Sequence, residues 1–264
     1  MVVGSADGQI ETADHSSYLL LVRALAARTA ELHRALAVST GDPSFDPEPF
    51  TAARLAEWAA AIRAELDTTL ASVRSHRSEL TGPARDVASQ ALDSTRQLHA
   101  AIDRHANGPT TALAIRLHGD FHLAQALVTR NDFIITDLEG EPGRRLEERR
   151  RKHTVLKDVA AMRRSFDYAR VVAARQFAAT PHSGSVDVAP LLEDWRGRAQ
   201  AAFLDAYTQA IGDSGVLPRD STETGRLLAL ATMERLLYEV RYELANRPEL
   251  VTVPLLDLTA LRES

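Results

Sequence analysis

The chain has 264 residues, of which 45% are hydrophobic, and it carries a formal net charge of −5 with a pI near 6.0. This composition suits a globular protein that buries a core, and the net negative charge argues against nucleic acid as a partner. Cysteine is absent, which excludes disulfides and thiolate metal sites. The first residues lack the pattern of a signal peptide, and no apolar run is long enough to cross a bilayer. We therefore expect a cytoplasmic protein without a membrane partner.

Three helices are predicted in the N-terminal part of the chain. Residues 16–38 place leucines at helical spacing, and a turn-rich segment with three prolines follows. A second helix is expected to begin near Thr51, which is a suitable N-cap, and to run through position 70. A third follows Pro83 and continues to position 102. Residues 1–15 are expected to form a flexible segment.

The middle of the chain is the one region where strands are predicted. The stretches "TALAIRLH" and "FIITD" are short, rich in branched residues and bounded by turn signals, and "TRND" is a plausible hairpin turn. Helical patterns return at about 154–179, 187–212 and 219–246. The expected fold is mainly α (α+β), a helical body around a small β-hairpin, with one domain over 16–254 and a tail over 255–264.

The hairpin region carries the polar residues that suggest chemistry. Asp120 follows a branched strand and a glycine, where its carboxylate could act as a base toward an acceptor hydroxyl. Gln125 and Asp137 offer hard oxygen ligands of the kind that Mg²⁺ takes beside substrate phosphates, and Glu139 could serve the metal or the acceptor. The alternative is that both aspartates are ordinary turn residues facing water. Spacing by itself favours neither interpretation.

Two histidines flank Asp120. His118 and His122 are four residues apart, a spacing that makes a zinc pair on a helix. Gly119 argues against a helix there, so we predict no zinc. His118 is instead a candidate for bracing the loop by hydrogen bonds, and His122 is a candidate acceptor contact.

Several motifs in order resemble one known family. They are "HGDFHLAQ", "DLEGEPGRRLEERR", "KDVAAMRRSFDYA" and "YEVRYELANRP", with "RTAELHRAL" upstream. The "HGD" motif and the aspartate that ends a hydrophobic strand are similar to the catalytic and metal loops of the aminoglycoside phosphotransferase and protein-kinase-like superfamily. The variant with glutamine at position 125 resembles the C-terminal lobe of maltokinases, including those fused to trehalose synthase.

This resemblance implies ATP-dependent phosphorylation of maltose to maltose 1-phosphate, in trehalose and glycogen metabolism. It implies Asp120 as the catalytic base and Gln125 and Asp137 as Mg²⁺ ligands. Maltose or a related sugar is the implied substrate, and a trehalose synthase is a candidate partner. The alternatives are a kinase of another sugar, such as glucosamine, or of an aminoglycoside, and a non-catalytic lobe that partners a trehalose-metabolising enzyme.

The remaining candidate residues lie in two charged or aromatic stretches. The run from Gly143 is typical of a solvated surface, although Arg144 could approach anionic groups in such a family. Tyr238 and Tyr242 are four residues apart on one predicted helix and share a face, and Glu239 shares a face with Glu243 in the same way. They suit either a buried tyrosine edge beside ion pairs or the wall of a sugar pocket. The resemblance favours the pocket wall.

A phosphate-binding loop is missing from the sequence. None of the 13 glycines is separated from another by a single residue, which excludes a G-x-G loop, and no lysine stands in a Walker-type motif. A kinase-like site normally closes a β-rich N-terminal lobe over ATP. We therefore expect that this lobe is absent from the chain and that the chain by itself has little kinase activity.

Overall fold

The structure is a computed structural model that describes residues 16–180 and 187–263. In these ranges the α-helices are α1 Ser16–Leu36, α2 Ala52–His76, α3 Gly82–Asp93, α4 Thr95–Ala106, α5 Leu146–Arg149, α6 Leu156–Ala179, α7 Ala189–Ile211, α8 Ser221–Asn246 and α9 Thr252–Ala260. The strands are β1 Glu48–Pro49, β2 Leu113–Ala114, β3 Ala126–Thr129 and β4 Asp132–Ile135. The expectation of a mainly α fold with small sheets is confirmed. The added expectation that this body is the C-terminal lobe of a two-lobed kinase is not confirmed.

Helix α8 is the centre of the body. It contacts α2, α4, α6 and α9, while α1 packs along α7 and α6 packs against α7. Apolar side chains are buried on several sides of α8, which is why its sequence has no clean polar face; they include Leu227, Leu230, Met233, Leu236, Leu237 and Val240. This central helix also carries residues of the candidate site.

The β-hairpin forms as the sequence predicts. Strands β3 and β4 are antiparallel, with Ala126 opposite Ile135 and Thr129 opposite Asp132. Arg130 and Asn131 connect them, and both have positive φ, 47° and 65°. Two consecutive residues of this kind give the turn whose twist matches a two-residue hairpin.

The stretch "TALAIRLH" contributes less strand than expected. Its strand is limited to β2. This strand pairs with β1, which lies in the turn-rich segment after the first predicted helix. Ile115 then forms an isolated antiparallel bridge with His153. These short pairings fix the chain just before the candidate catalytic loop.

Other boundaries differ from prediction in two places. The predicted third helix is two helices, α3 and α4, because the chain turns at Ser94, whose backbone leaves helical geometry with φ −89° and ψ 6°. The division between body and tail after position 254 lies inside α9, whose Leu255 and Leu258 are fully buried in the core. Residues 1–15, expected to be flexible, lie outside the described residues.

Helix α2 begins as predicted. The side chain of Thr51 accepts a hydrogen bond from the amide of Arg54 and so caps the helix. In the part of the chain that the structure describes, no helix is both long enough and apolar enough to cross a bilayer.

Candidate active site

The loop that carries Asp120 is shaped by Gly119. This glycine has φ +82°, and a Cβ at its position would lie 3.2 Å from Cα of Gly140. A side chain would therefore be strained and would push apart the two loops that carry Asp120 and Asp137. The glycine before the aspartate is explained by this close approach.

His118 links the two loops through both ring nitrogens. Its Nε2 lies 2.9 Å from the carbonyl oxygen of Thr136, and its Nδ1 lies 3.4 Å from the amide of Asp120. The carbonyl requires a donor and the amide an acceptor, which assigns the proton to Nε2. The ring is fully buried. It therefore fixes the loop rather than contacting a substrate.

A buried carboxylate on α6 holds the same loop from behind. Asp158 accepts hydrogen bonds from the amides of His118 and Gly119, at 2.9 and 3.0 Å. His33 Nε2 of α1 lies 3.2 Å from Asp158, and its Nδ1 lies 2.7 Å from the hydroxyl of Tyr207 on α7. Three core helices thus determine where the loop lies.

Asp120 meets α8 at a mixed charge cluster. Nη1 of Arg235 lies 3.9 Å from Asp120 and 4.0 Å from Glu141, between the two carboxylates. His122 Nε2 lies 3.8 Å from the other oxygen of Asp120. The hydroxyl of Tyr238 donates to Glu141 at 2.9 Å. Asp120 and Glu141 keep 16% and 14% of their side-chain surface exposed, so a small polar ligand can reach them.

The pKa values of the two carboxyl groups are shifted in opposite directions. Burial opposes ionisation of Asp120, but His122 and the charge of Arg235 outweigh it and hold the pKa of Asp120 below its ordinary value. Burial, and then the charge of Asp120, raise the pKa of Glu141. Asp120 is therefore an ionised base at neutral pH, and Glu141 is the group that takes up a proton first as the pH falls.

Helix α8 places the other predicted residues at different depths. Tyr242 is exposed and stacks on Tyr238 with ring centroids 6.0 Å apart. Glu239 is buried, where it pairs with Arg164 at 2.9 Å and with Arg235 at 3.2 Å. Glu239 therefore positions Arg235 from below, while Tyr238 and Tyr242 lie at the surface side.

Gln125 and Asp137 come together although they are 12 residues apart. The Gln125 amide nitrogen donates to Asp137 Oδ2 at 2.9 Å, which leaves the amide oxygen and the second carboxylate oxygen for a cation. Asp137 has φ +65°, a conformation that turns the chain directly after β4. The described residues contain no group of three or more histidine or acidic side chains that could hold a metal ion. This pair would therefore supply two oxygen ligands, and Mg²⁺ would take the rest of its six from water and phosphates.

Glu139 and Arg144 lie outside this arrangement. Glu139 is 79% exposed and lies 3.9 Å from Arg149, and Arg144 is exposed on the same connecting segment. Neither contacts Asp120 or Asp137 by a hydrogen bond or ion pair in the residues that the structure describes.

Three important residues have no assigned role in the sequence interpretation. Glu141 lies in "DLEGEPG", four residues after Asp137, and a second acid near a metal loop was an available signal. Arg235 lies four residues before Glu239 on the same predicted helix. Asp158 lies 38 residues after Asp120, and no local pattern connects it with the loop that it holds.

Comparison with known proteins identifies the relatives. No family model matches the chain. It is 33% identical over 245 residues to a glucosamine kinase of Streptacidiphilus jiangxiensis, a match that covers 92% of this chain and 49% of the relative. The chain is similar to glucosamine kinases. A second relative, the glucosamine kinase of Mycolicibacterium smegmatis, is 28% identical over 144 residues, 54% of this chain and 33% of that protein.

Solved structures agree with these relatives. A glucosamine kinase in complex with glucosamine, ADP and inorganic phosphate matches with a TM-score of 0.72 and 29% identity, over 92% of this chain and 54% of that one. Another glucosamine kinase crystal structure matches with a TM-score of 0.74 and 27% identity, over 95% and 54% of the two chains. The chain thus spans about half the length of the relatives that it matches.

These findings correct the family named from the motifs. The relatives carry the name glucosamine kinase. The expectations of a maltokinase, of the aminoglycoside phosphotransferase and protein-kinase-like superfamily, of maltose as substrate and of a trehalose synthase partner were wrong. The link to trehalose and glycogen metabolism depended on that name and is withdrawn with it. A short local motif does not specify the acceptor sugar, because acceptor choice depends on the side chains around the site.

Proposed function

We propose that the protein takes part in ATP-dependent phosphorylation of an amino sugar, with glucosamine as the acceptor. The observation that carries the proposal is the cluster of Asp120, Glu141 and Arg235 at the end of the catalytic loop. The similarity to glucosamine kinases, one of them bound to glucosamine and ADP, supports both the acceptor and the donor.

Asp120 is the proposed base. Its depressed pKa keeps it ionised at neutral pH, so it can accept a hydrogen bond from the sugar hydroxyl and orient the oxygen toward the phosphoryl group. His118 and Asp158 hold its backbone in place. Phosphoryl transfer needs such positioning more than covalent help from the protein.

Gln125 and Asp137 are the proposed ligands of Mg²⁺. When bound, this ion neutralises the charge that develops on the phosphates. The hydrogen bond between the two side chains holds them next to each other before a cation arrives. Glu139 remains a candidate contact for the metal or the acceptor. His122 remains a candidate contact for the acceptor.

The charge of the cluster explains an amino sugar better than a neutral one. Glucosamine carries an ammonium group near neutral pH. Two partly exposed carboxylates, Asp120 and Glu141, share the guanidinium of Arg235, which also pairs with Glu239. A second cation beside Glu141 therefore interacts favourably with the remaining negative charge. Maltose and glucose have no charge to place there. Tyr238 and Tyr242 remain candidate contacts for the sugar. Their rings pack on each other, and Arg235 and Arg247 lie over them at 5.0 and 5.2 Å from the ring centroids.

Paired sugars test the proposal. Glucosamine and glucose differ only in the amine at one carbon. Calorimetry at neutral pH measures the affinity of the purified protein for each sugar, and the difference between the two affinities reports the interaction with the ammonium group. We expect glucosamine to bind about tenfold or more tightly, since charge-assisted hydrogen bonds contribute roughly 1.5–3 kcal/mol. Release of ADP in the presence of ATP and Mg²⁺ reports the reaction. Equal binding of both sugars would contradict the acceptor assignment.

A matched variant locates the interaction. Glu141→Gln keeps the shape and removes the charge, and we expect it to abolish the preference for glucosamine over glucose. Glu147→Gln removes a highly exposed acid of the same segment and should leave the preference unchanged.

The cytoplasmic location of the protein stays a prediction.

A further inference from the structure

A basic cleft lies beside the candidate active site. Its volume is about 680 Å³, and five cationic side chains line it, Arg54, Arg116, Arg150, Arg151 and Lys152. The two acids that line it are Glu48 and Glu147. A local surplus of three positive charges stands out in a protein with a net charge of −5. None of Asp120, Gln125, Asp137 and Glu141 lines this cleft.

Part of the cleft is built as a rigid wall. Lys152 donates to the carbonyl oxygens of Pro43 and Asp46, at 2.9 and 2.7 Å. Arg54 donates to the carbonyl oxygen of Lys152 at 2.6 Å and pairs with Glu48. These bonds tie the loop before α2 to the segment before α6, so the two sides of the cleft are held in a fixed relation.

The two acids of the cleft already have cationic partners. Glu48 pairs with both Arg54 and Lys152, and Lys152 lies 3.3 Å from it. Burial would raise the pKa of Glu48, but these two cations outweigh it and lower the pKa. Glu147 is highly exposed and lies 3.6 Å from Arg145. Neither acid neutralises the remaining arginines.

Among the described residues, three guanidinium groups of the cleft have no carboxylate partner. Arg116 uses Nε for the carbonyl oxygen of Ser44, at 3.0 Å, and its guanidinium lies over the ring of Phe45. In the described ranges, Arg116, Arg150 and Arg151 form no ion pair with a carboxylate. Like charges that share a cleft repel one another, and a bound anion removes that repulsion.

We propose that this cleft is a second binding site, separate from the catalytic one, for the phosphate group of a small phosphorylated molecule. The planar fork of arginine matches phosphate oxygens through paired hydrogen bonds, whereas a single carboxylate would satisfy fewer donors. The volume exceeds that of inorganic phosphate and falls in the range of small-molecule sites. The half-exposed ring of Phe45 supplies an apolar contact for the rest of the ligand.

The cleft is joined to the candidate active site through its lining segments. Arg116 lies four residues before Asp120 on the same strand-to-loop connection, and the segment after Glu141 carries Arg150 and Arg151. Arg149, next to them, donates to the carbonyl oxygen of Glu139 at 3.3 Å, and its Cβ would lie 3.4 Å from a Cβ placed at Gly140. A ligand in the cleft would therefore order the segment that follows Asp137.

Pyrophosphate is the probe for this site. Binding to the purified protein is measured by calorimetry in 50 mM salt with EDTA, which keeps divalent cations away from Gln125 and Asp137. We expect saturable binding that weakens steadily as salt rises, because the cleft is open to solvent. The double variant Arg150→Ala, Arg151→Ala should weaken it at least tenfold. Arg23→Ala, at an exposed arginine of α1 that does not line the cleft, should leave it unchanged.

Two controls make the result decisive. Asp137→Ala should bind pyrophosphate as tightly as the unmodified protein; loss of binding there would place the anion at the metal site and overturn the proposal. Absence of saturable binding, or equal binding by the double arginine variant, would also overturn it. Competition by glucose 6-phosphate and by AMP distinguishes a phosphosugar from a nucleotide as the source of the phosphate. None of these results depends on whether glucosamine is the acceptor.

Discussion

The carboxylate of Asp158 accepts a hydrogen bond of 3.0 Å from the backbone amide of Gly119, the residue before the proposed base. The donor is in a surface loop and the acceptor is fully buried on α6. The rigidity of the loop therefore depends on the helical core.

Asp158→Ala should destabilise the fold strongly. It leaves the amides of His118 and Gly119 and the ring of His33 without their acceptor in the core. Removing one partner from such a buried network costs about 3–5 kcal/mol. Urea unfolding measures the loss. Asp103→Ala removes an exposed ion pair with Arg63 and should cost about 1 kcal/mol or less; similar losses in both variants would contradict the assigned role.

The contribution of Asp158 should disappear in acid. Burial would raise its pKa, but the hydrogen bond from His33 and the loop amides outweigh burial and lower it. A carboxyl with a lowered native pKa stabilises the fold above its ordinary value of 3.8 and loses this effect as the pH falls through the native pKa. The difference in unfolding free energy between the unmodified protein and Asp158→Asn should be constant above about pH 5 and narrow below it.

Asp120→Asn should remove catalysis while keeping the fold. The amide cannot accept the hydroxyl proton, and loss of a general base lowers kcat by about 10²–10⁴. Glucosamine-dependent release of ADP gives kcat, and thermal unfolding checks the fold. Asp86→Asn, at an exposed position of α3, is the matched control and should keep full activity. An active Asp120→Asn protein would show that another group orients the hydroxyl.

Cation binding should depend on Gln125 and Asp137. Mn²⁺ replaces Mg²⁺ at oxygen sites and is detected by its paramagnetic resonance. Asp137→Asn should weaken Mn²⁺ binding by about tenfold or more, because it removes the one charged ligand of the pair. Asp132→Asn changes an acid at the other end of β4 that pairs with Arg28 at 2.8 Å. Its effect on Mn²⁺ should be small, and equal effects would place the cation elsewhere.

Glucosamine affinity should fall in mild acid through Glu141. Burial and the charge of Asp120 raise the pKa of Glu141 above its ordinary value of 4.5. As the pH falls toward that raised pKa, the carboxylate is protonated and its attraction for the ammonium group is lost. Calorimetry across this range measures the midpoint. Glu141→Gln should flatten the pH dependence.

Tyr238→Phe tests the role of Glu141 by removing a hydrogen-bond donor to its carboxylate. The tyrosine hydroxyl donates to Glu141 at 2.9 Å and lowers the pKa of the carboxyl. Removing this donor should move the midpoint of glucosamine binding to higher pH. Tyr242→Phe removes a hydroxyl without a contact to Glu141 among the described residues and should leave the midpoint unchanged. A shift in both variants would exclude the assignment to Glu141.

Gly119→Ala should disturb the site more than Gly143→Ala. At position 119 the backbone has φ +82° and the new Cβ would meet Gly140 at 3.2 Å, whereas nothing lies within 4 Å of a Cβ at position 143. We expect the first variant to lose about 1–2 kcal/mol of stability through the unfavourable backbone conformation, together with most glucosamine-dependent activity. Thermal unfolding compares the two. Equal stability would mean that the loop relaxes without cost.

Local sequence patterns determined the elements of this protein. Leucine spacing predicts α1, Thr51 predicts the start of α2, and "TRND" predicts the hairpin turn, because each of these features depends on residues a few positions apart. The residues Asp120, Gln125 and Asp137 were also found from local motifs, and their roles stay predictions. The predicted acceptor sugar, maltose, was wrong, because a local motif does not specify the side chains that surround an acceptor.

Tertiary structure decided which residues meet. Glu141 and Arg235 are 94 positions apart in the chain, yet they form one charge cluster with Asp120, and Asp158 reaches the loop only because α6 passes beneath it. Glu239, predicted beside a sugar, is buried against Arg164 because the helix turns that face to the core. Periodicity gives the faces of a helix, but the packing of its neighbours decides which face meets water and which meets the core.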